Sequence, residues 1–224
     1  MDQVLKIKVC GMKYSKNIQQ LVELQPDFMG FIFHPQSPRF VGPVLAELQE
    51  VLCTIRKKEE AQHHKTIMTG VFVDEPTQKI KEQIKLLSLD AIQLHGQETP
   101  NTCGTLRKTG IKVIKAFGIS EQFNWSGLSD YQDTIDYILF DTRIGNKTGG
   151  TGQRFDWDLL DFYKLNAPYF LSGGISEVDI PSLIDRKAID NRLFGVDLNS
   201  KYELSPGTKN IRNLEKTFNL LRNE

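Results

Sequence analysis

Two side chains capable of acid–base chemistry follow apolar runs, at points where predicted strands end. Cys10 follows the run 4–9 and is followed at once by Gly11, and Asp141 follows the apolar run 137–140. A thiol, with an ordinary pKa of ~8.5, acts as a base only where its surroundings favour the thiolate. A carboxyl group acts as an acid only where its surroundings keep it protonated, as an apolar site does. If the fold brings the two together, they form an acid–base pair.

The overall composition predicts a soluble protein. The chain has 224 residues, with 28 Lys+Arg against 28 Asp+Glu. This balance gives no reason to expect a nucleic acid or an anionic membrane as a partner. The apolar runs are much shorter than the ~20 residues of a membrane span, and the N-terminus lacks the regions of a secretory signal. Three widely spaced cysteines, Cys10, Cys53 and Cys103, predict a reduced, cytoplasmic protein rather than a disulfide framework or a zinc site.

Short β-rich runs alternate with amphipathic runs along the whole chain. The predicted strands are 4–9, 28–33, 67–73, 90–94, 111–116, 136–140, 168–171 and 192–197. Several are apolar almost throughout, which is typical of parallel strands buried on both faces. Leucines and isoleucines at helical spacing predict helices between the strands, most clearly around 45–55 and 211–221. The segment 120–135 gives the weakest helix prediction.

Eight strand–helix units predict a single (β/α)₈ barrel over residues 1–224. A doubly wound open sheet is the alternative. It would normally show fewer strands for this length, and no G-x-G-x-x-G motif follows the first strand.

In such a barrel the carboxyl ends of all eight strands surround one opening, where active sites lie. The polar residues predicted at this opening include Cys10, Arg39, Asp74, His95, Asp141, Ser172 and Asp197. Gly173 and Gly174 follow the seventh strand, and Asn199 and Ser200 follow the eighth. Barrels frequently bind phosphate with these two loops, because backbone N–H groups next to glycine can approach an anion closely. These four residues therefore predict a phosphate site, although a tight turn alone would also explain the paired glycines.

A set of motifs spread over the chain, in order, resembles the phosphoribosylanthranilate isomerase family of tryptophan biosynthesis. They are Lys8-Val9-Cys10-Gly11-Met12, Gly30-Phe31-Ile32-Phe33, Ser37-Pro38-Arg39, Gly70-Val71-Phe72-Val73, Gln93-Leu94-His95-Gly96, Phe140-Asp141-Thr142, Gly149-Gly150-Thr151-Gly152, Phe155-Asp156-Trp157, Leu171-Ser172-Gly173-Gly174-Ile175, Gly195-Val196-Asp197 and Pro206-Gly207-Thr208-Lys209. Any one of them could occur by chance, but together they are specific.

The resemblance implies an Amadori rearrangement of a phosphosugar, without a metal or organic cofactor. It implies that Cys10 is the general base and Asp141 the general acid. Arg39 would hold the anthranilate carboxylate, which a guanidinium fork matches bidentately. Asp197 would hydrogen-bond the substrate amine or sugar hydroxyls. His95 either lines the pocket or packs at the rim.

Two further segments bear on the resemblance. The family usually has glycine at the position of Lys201, so a lysine there is strained by roughly 1 kcal/mol if the position needs a positive φ; alternatively, Lys201 supplies a cation to the phosphate. The glycine-rich loop 145–152 directly follows the proposed acid and predicts a lid that closes over the substrate.

Two rival functions and the oligomeric state stay open. The related aminoaldose isomerase of histidine biosynthesis carries an aspartate where Cys10 stands, so the thiol argues against it. A non-catalytic phosphosugar-binding barrel needs neither Cys10 nor Asp141. The sequence leaves a monomer and a homodimer equally possible.

Overall fold

The structure is a computed structural model that describes residues 4–60, 64–144, 147–148 and 155–222. Its main sheet contains eight parallel strands close to the predicted runs. They are β1 (Lys6–Val9), β2 (Phe28–Ile32), β3 (Ile67–Phe72), β4 (Ala91–Leu94), β5 (Lys112–Ile119), β6 (Tyr137–Ile144), β7 (Tyr169–Leu171) and β8 (Leu193–Leu198). Each strand pairs with the next in chain order, β8 pairs back onto β1, and the pairing of β5 with β6 completes the circle. The predicted (β/α)₈ barrel is confirmed.

Six α-helices cover the barrel in the part of the chain that the structure describes. They are α1 (Ser15–Val22), α2 (Leu45–Glu59), α3 (Thr77–Leu87), α4 (Pro100–Arg107), α5 (Ile180–Ile189) and α6 (Ile211–Arg222). None of the described helices has the length and apolar character needed to cross a bilayer.

The connections after β5 and β6 contain 3₁₀ helices instead of α-helices, over Trp125–Tyr131 and Trp157–Phe162. The first of these lies in the segment with the weakest helix prediction. Its short polar side chains bond locally: the Ser126 hydroxyl donates to Asn124 Oδ1 at 2.7 Å, and the Ser129 hydroxyl donates to the Ser126 carbonyl at 2.9 Å. Such bonds compete with a regular helix.

The inside of the barrel changes from apolar to polar along its axis. Near the amino ends of the strands, aromatic rings fill it, with centroids 5.1 Å apart for Phe28 and Phe170 and 5.2 Å apart for Phe170 and Phe194. Lys8 pairs in register with Phe28 and therefore lies on the same inner face. Alternation along β1 sends Ile7 outward to the helices, where it is part of the large core. The barrel thus seals one end with apolar side chains and leaves its polar ones at the other.

Candidate active site

The strand ends place Cys10 just inside the opening of the barrel. Its side chain is on the inner face, two residues after Lys8, and only 3% of Cys10 is exposed. Its backbone N–H donates to the Leu198 carbonyl at 3.0 Å, which ties it to β8. A Cβ at Gly30 would lie 2.7 Å from Cys10 Sγ, so the glycine on β2 makes the room that the thiol occupies.

A fully buried ion pair lies beside this thiol. Lys8 Nζ donates to Asp197 Oδ2 at 2.9 Å, and the two side chains are 0% and 4% exposed. The pairing follows from the register of β1 and β8, which sets these two residues side by side. Burial acts to lower the pKa of Lys8, but Asp197 and Cys10 outweigh it and hold the pKa above its ordinary value. Lys8 is therefore an ammonium ion.

Burial has the largest effect on the pKa of the Cys10 thiol. It raises the pKa of Cys10 above the ordinary value, because the cations Lys8 and Lys209 lower the pKa by less and Asp197 also raises it. The thiol therefore keeps its proton at neutral pH until a further positive charge comes close.

The predicted acid, Asp141, lies within β6, which continues three residues beyond it, and is 5% exposed. Its Oδ1 accepts from the Thr142 backbone N–H at 2.8 Å, and its Oδ2 lies 3.5 Å from His95 Nε2. The amide nitrogen of Gln93 lies 2.8 Å from His95 Nδ1. A bond donated by that amide leaves the ring proton on Nε2, directed at the carboxylate. His95 therefore lies beside the predicted acid.

Arg39 lies in the loop after β2 and contacts a short antiparallel hairpin that follows β8. The hairpin is formed by Glu203–Ser205 and Thr208–Lys209. Arg39 Nε donates to Glu203 Oε1 at 2.8 Å and its Nη2 to Oε2 at 2.5 Å. This bidentate pair uses one edge of the guanidinium, and the edge formed by Nη1 and Nη2 is the one left to receive another carboxylate.

A second buried lysine completes that arrangement. Lys209 Nζ donates to Glu203 Oε1 at 2.8 Å and to Asn199 Oδ1 at 2.7 Å. Burial acts to raise the pKa of Glu203, but Arg39 and Lys209 outweigh it, and the pKa lies below its ordinary value. Asn17 of α1 fixes the hairpin by exchanging two hydrogen bonds with the backbone of Lys209, at 2.7 and 3.0 Å.

The predicted phosphate residues lie in two neighbouring loops, because β7 and β8 are adjacent. Gly173 and Gly174 have φ values of 90° and 70°, a region that side chains disfavour. A Cβ at Gly173 would lie 2.8 Å from Asp141 Oδ1. Paired glycines of this kind form a concave loop whose N–H groups suit an anion, and they also let the backbone pass close to the predicted acid.

The eighth loop differs from expectation at Lys201. This exposed residue lies in a 3₁₀ helix, Ser200–Tyr202, and its φ is not positive. The strain predicted for a lysine there does not arise. Asn199 offers its side-chain oxygen to Lys209, so its backbone is the part left for a ligand.

The predicted lid 145–152 lies outside the described residues except for Lys147 and Thr148. The backbone of these two pairs antiparallel with Ile144 and Arg143 at the end of β6.

The sequence analysis missed four buried residues of the opening as functional candidates: Lys8, Gln93, Glu203 and Lys209. Lys8 carried a partial signal, since Lys6 and Lys8 alternate with Ile7 and Val9 and therefore lie on the opposite face of the strand from these two apolar residues. Gln93 and Lys209 carried none besides their place in the family motifs, and Glu203 lies outside those motifs.

Comparisons with known proteins agree on one family. The profile described as "PRAI: N-(5'phosphoribosyl)anthranilate (PRA) isomerase" matches residues 7–220. The N-(5'-phosphoribosyl)anthranilate isomerase of Parabacteroides distasonis is 38% identical over 209 residues, which are 93% of this chain and 90% of the relative.

Solved structures give the same result. Phosphoribosyl anthranilate isomerase from Thermotoga maritima is 28% identical, with a TM-score of 0.81 over 98% of this chain and 100% of the other. Monomers generated from the dimeric enzyme of that organism give 26% and 0.76 over the same shares. A phosphoribosyl anthranilate isomerase in complex with reduced 1-(o-carboxyphenylamino)-1-deoxyribulose 5-phosphate gives 27% and 0.78, again over 98% and 100%.

Proposed function

The chain belongs to the N-(5'-phosphoribosyl)anthranilate isomerase family, and we propose that its barrel opening catalyses the family's Amadori rearrangement with Cys10 as base and Asp141 as acid. The substrate is N-(5-phosphoribosyl)anthranilate and the product 1-(2-carboxyphenylamino)-1-deoxyribulose 5-phosphate, the third step from chorismate to tryptophan. One observation carries the assignment: a buried thiol that directly follows β1 and a buried carboxyl group on β6 both lie toward the opening of the barrel.

In the first step Asp141 gives its proton to the ring oxygen of the ribose, and the C1–O bond breaks to leave a protonated Schiff base. His95 Nε2 faces the carboxylate that results. A hydrogen bond from that nitrogen stabilises the anion as it forms.

In the second step the Cys10 thiolate removes the proton from the sugar C2, and the electrons move to give an enol-amine that tautomerises to the ketone. The positive charge of the Schiff base favours the thiolate, which burial alone disfavours. The acid step therefore prepares the base step. Cys10 releases its proton to solvent as it ionises and takes one from C2, while Asp141 gives one to the ring oxygen. A proton from solvent then returns to the Asp141 carboxylate and restores the starting state.

The remaining predicted residues bind the substrate. The free edge of Arg39 donates hydrogen bonds to the anthranilate carboxylate, and Asp197 accepts hydrogen bonds from the substrate amine or the sugar hydroxyls. The backbone of Gly173, Gly174, Asn199 and Ser200 binds the phosphate, with the exposed Lys201 as an added cation.

The remaining features of this proposal concern the protein as a whole. The chain acts as one catalytic domain, needs no cofactor, and works in the cytoplasm as a monomer or a homodimer. The dimeric relative from Thermotoga maritima supports the second form.

The test follows the loss of phosphoribosylanthranilate fluorescence with purified protein. We expect turnover by the wild type and losses of about 10²–10⁴-fold in kcat for Cys10→Ala and for Asp141→Asn, with circular dichroism unchanged. Full activity in either variant removes that residue from the mechanism. An inactive wild type that still binds the substrate indicates a binding module, and turnover of only the histidine-pathway substrate indicates the related isomerase.

A further inference from the structure

Lys8 is a fully buried charged residue on the inner face of β1, and the proposed reaction does not yet use it. Its side chain is fully buried, and burying an ammonium costs desolvation free energy that an ion pair often recovers only in part. Lys8 and Cys10 are two residues apart on one strand, so both side chains point into the barrel, ~7 Å apart along the strand. A lysine side chain spans that distance, and the charge of Lys8 lowers the pKa of the Cys10 thiol.

We propose that Lys8 is the positioning residue that makes Cys10 a base: held by Asp197, its ammonium donates to the sulfur and stabilises the thiolate. This inference rests on the proposed function, because it concerns the same thiol. It adds a second residue to proton removal and explains why the pair Lys8–Asp197 is buried inside the barrel opening rather than placed on its surface.

Four charged groups from four parts of the fold act on Cys10: Lys8 from β1, Asp197 from β8, Lys209 from the hairpin and Arg39 from the loop after β2. Two of the cations are occupied elsewhere. Lys209 donates to Glu203 and Asn199, and Arg39 is held bidentately by Glu203. Of the two lysines that lower the pKa of Cys10, Lys8 has the larger effect, and it lies on the same strand face as the thiol.

Asp197 holds Lys8 with only one of its two oxygens. Oδ2 accepts from Lys8, whereas Oδ1 is buried without a partner among the described residues. A substrate N–H or O–H group that donates a hydrogen bond to Oδ1 partly compensates the negative charge of the Asp197 carboxylate. The ammonium of Lys8 then acts more strongly on the thiolate, so substrate binding and activation of the base are coupled.

Lys8 and Asp197 therefore shift the pKa of the Cys10 thiol in opposite directions. A general loss of structure would not produce opposite shifts in the two variants. In Lys8→Met the Cys10 thiol should titrate at higher pH, because its nearest cation is gone. In Asp197→Asn it should titrate at lower pH, because a neighbouring anion is gone and Lys8 remains. Lys6→Met is the matched control: Lys6 lies on the same strand, pairs with Asp27 at 3.1 Å, and should leave the titration unchanged.

The titration is read from the ultraviolet absorbance of the thiolate in the substrate-free protein, as a difference from the same protein carrying Cys10→Ala. Opposite shifts support the proposal; an unchanged titration in Lys8→Met, or shifts of one sign in both variants, overturn it. If Lys8→Met does not fold, the direction of the shift in Asp197→Asn decides alone. Because no substrate is present, the outcome does not depend on whether the wild type turns over phosphoribosylanthranilate.

Activity gives the second readout. In Lys8→Met, kcat/KM should fall about tenfold or more at neutral pH, and the loss should shrink as the pH is raised and the thiolate forms without help. A loss that is the same at every pH contradicts a role in ionising the thiol and leaves Lys8 a packing residue.

Discussion

Two of the buried lysine–carboxylate pairs in this protein resemble each other in every simple measure. Lys8 pairs with Asp197 and Lys115 pairs with Glu98, each at 2.9 Å with side chains at most 4% exposed. A thiol lies near each lysine, Cys10 in the first case and Cys103 in the second. The pairs differ in how completely their hydrogen-bonding groups are used.

The pair outside the barrel, between β5 and the loop after β4, is fully occupied. Lys115 donates to Glu98 and also lies 2.8–3.2 Å from the carbonyl oxygens of Leu94, Gly96 and Ala116. Glu98 in turn accepts from the backbone N–H groups of Asp74 and Gly96. No group of this pair is left for a ligand, and its effect is to fix the loops at the barrel rim.

The pair inside the barrel has unused capacity on both sides. Asp197 Oδ1 accepts nothing from the described residues, and Lys8 Nζ donates to Asp197 Oδ2, with the Cys10 thiol two residues further along the same strand face. Burial and pairing alone do not tell the two sites apart. Unsatisfied hydrogen-bonding groups next to a reactive atom do, because natural cores rarely leave them without a reason.

The largest effect should come from Lys115→Met. It leaves the Glu98 carboxylate buried without its cation, and breaking a buried pair in this way costs roughly 3–5 kcal/mol. Urea unfolding should show a loss of about 4 kcal/mol in the free energy of unfolding. The titration of Cys10 should stay unchanged in the folded variant. A stability close to that of the wild type would show that Lys115 is not structural and would remove the contrast.

The next effect separates the pairs by removing both charges at once. Lys8→Met/Asp197→Leu should be neutral or more stable than the wild type by ~1–2 kcal/mol, since a buried pair that is only partly bonded recovers little of its desolvation cost. Lys115→Met/Glu98→Leu should be destabilised by about 3 kcal/mol, since it strips two backbone N–H groups of their acceptor. The two double variants are compared in one set of urea unfolding curves. Equal stabilities would mean that hydrogen-bond occupancy does not distinguish the sites.

Arg39 and Glu203 form a third pair that lies between these extremes, with one edge of the guanidinium used and one free. For Arg39→Ala we expect KM to rise about 10–100-fold with a smaller change in kcat, because a bidentate charged contact with the substrate carboxylate is lost. Arg107→Ala is the matched control. Arg107 is the last residue of α4, away from the opening, and forms an ion pair with Asp136 at 3.0 Å. An unchanged KM in Arg39→Ala would assign the carboxylate to another group.

The sequence predicts the frame of this site better than its charge network, for a physical reason. Strands and helices come from patterns within about ten residues, so the eight strand ends, and with them Cys10, His95 and Asp141, could be placed in advance. Partners such as Arg39 and Glu203 are 164 residues apart, and Lys8 and Asp197 are 189 apart. Their pairing depends on the register of the closed barrel, which no local pattern contains. The φ of Lys201 likewise depended on a 3₁₀ turn that the family pattern did not reveal.

The smallest effect concerns the thiol beside the structural pair. Burial raises the pKa of Cys103 to about 11, while Lys115 lowers it by less and Glu98 also raises it. The folded protein therefore holds this proton at pH values where the unfolded chain, with an ordinary thiol pKa of ~8.5, releases it. This contribution to the free energy of unfolding is fully present below the unfolded-state pKa of ~8.5 and is lost as the pH rises through 11.

Cys103→Ala should remove part of this alkaline loss, of order 2 kcal/mol, whereas alanine at the exposed Cys53 should not. The readout is the slope of the unfolding free energy between mildly alkaline pH and pH 11, because a cavity at position 103 lowers stability equally at all pH values. An unchanged slope in Cys103→Ala would mean that its thiol ionises alike in both states. The buried lysine beside Cys103 gives its hydrogen bonds to Glu98 and the backbone, so we expect this thiol to be an apolar packing group, in contrast to the thiol next to Lys8 that we propose as the base.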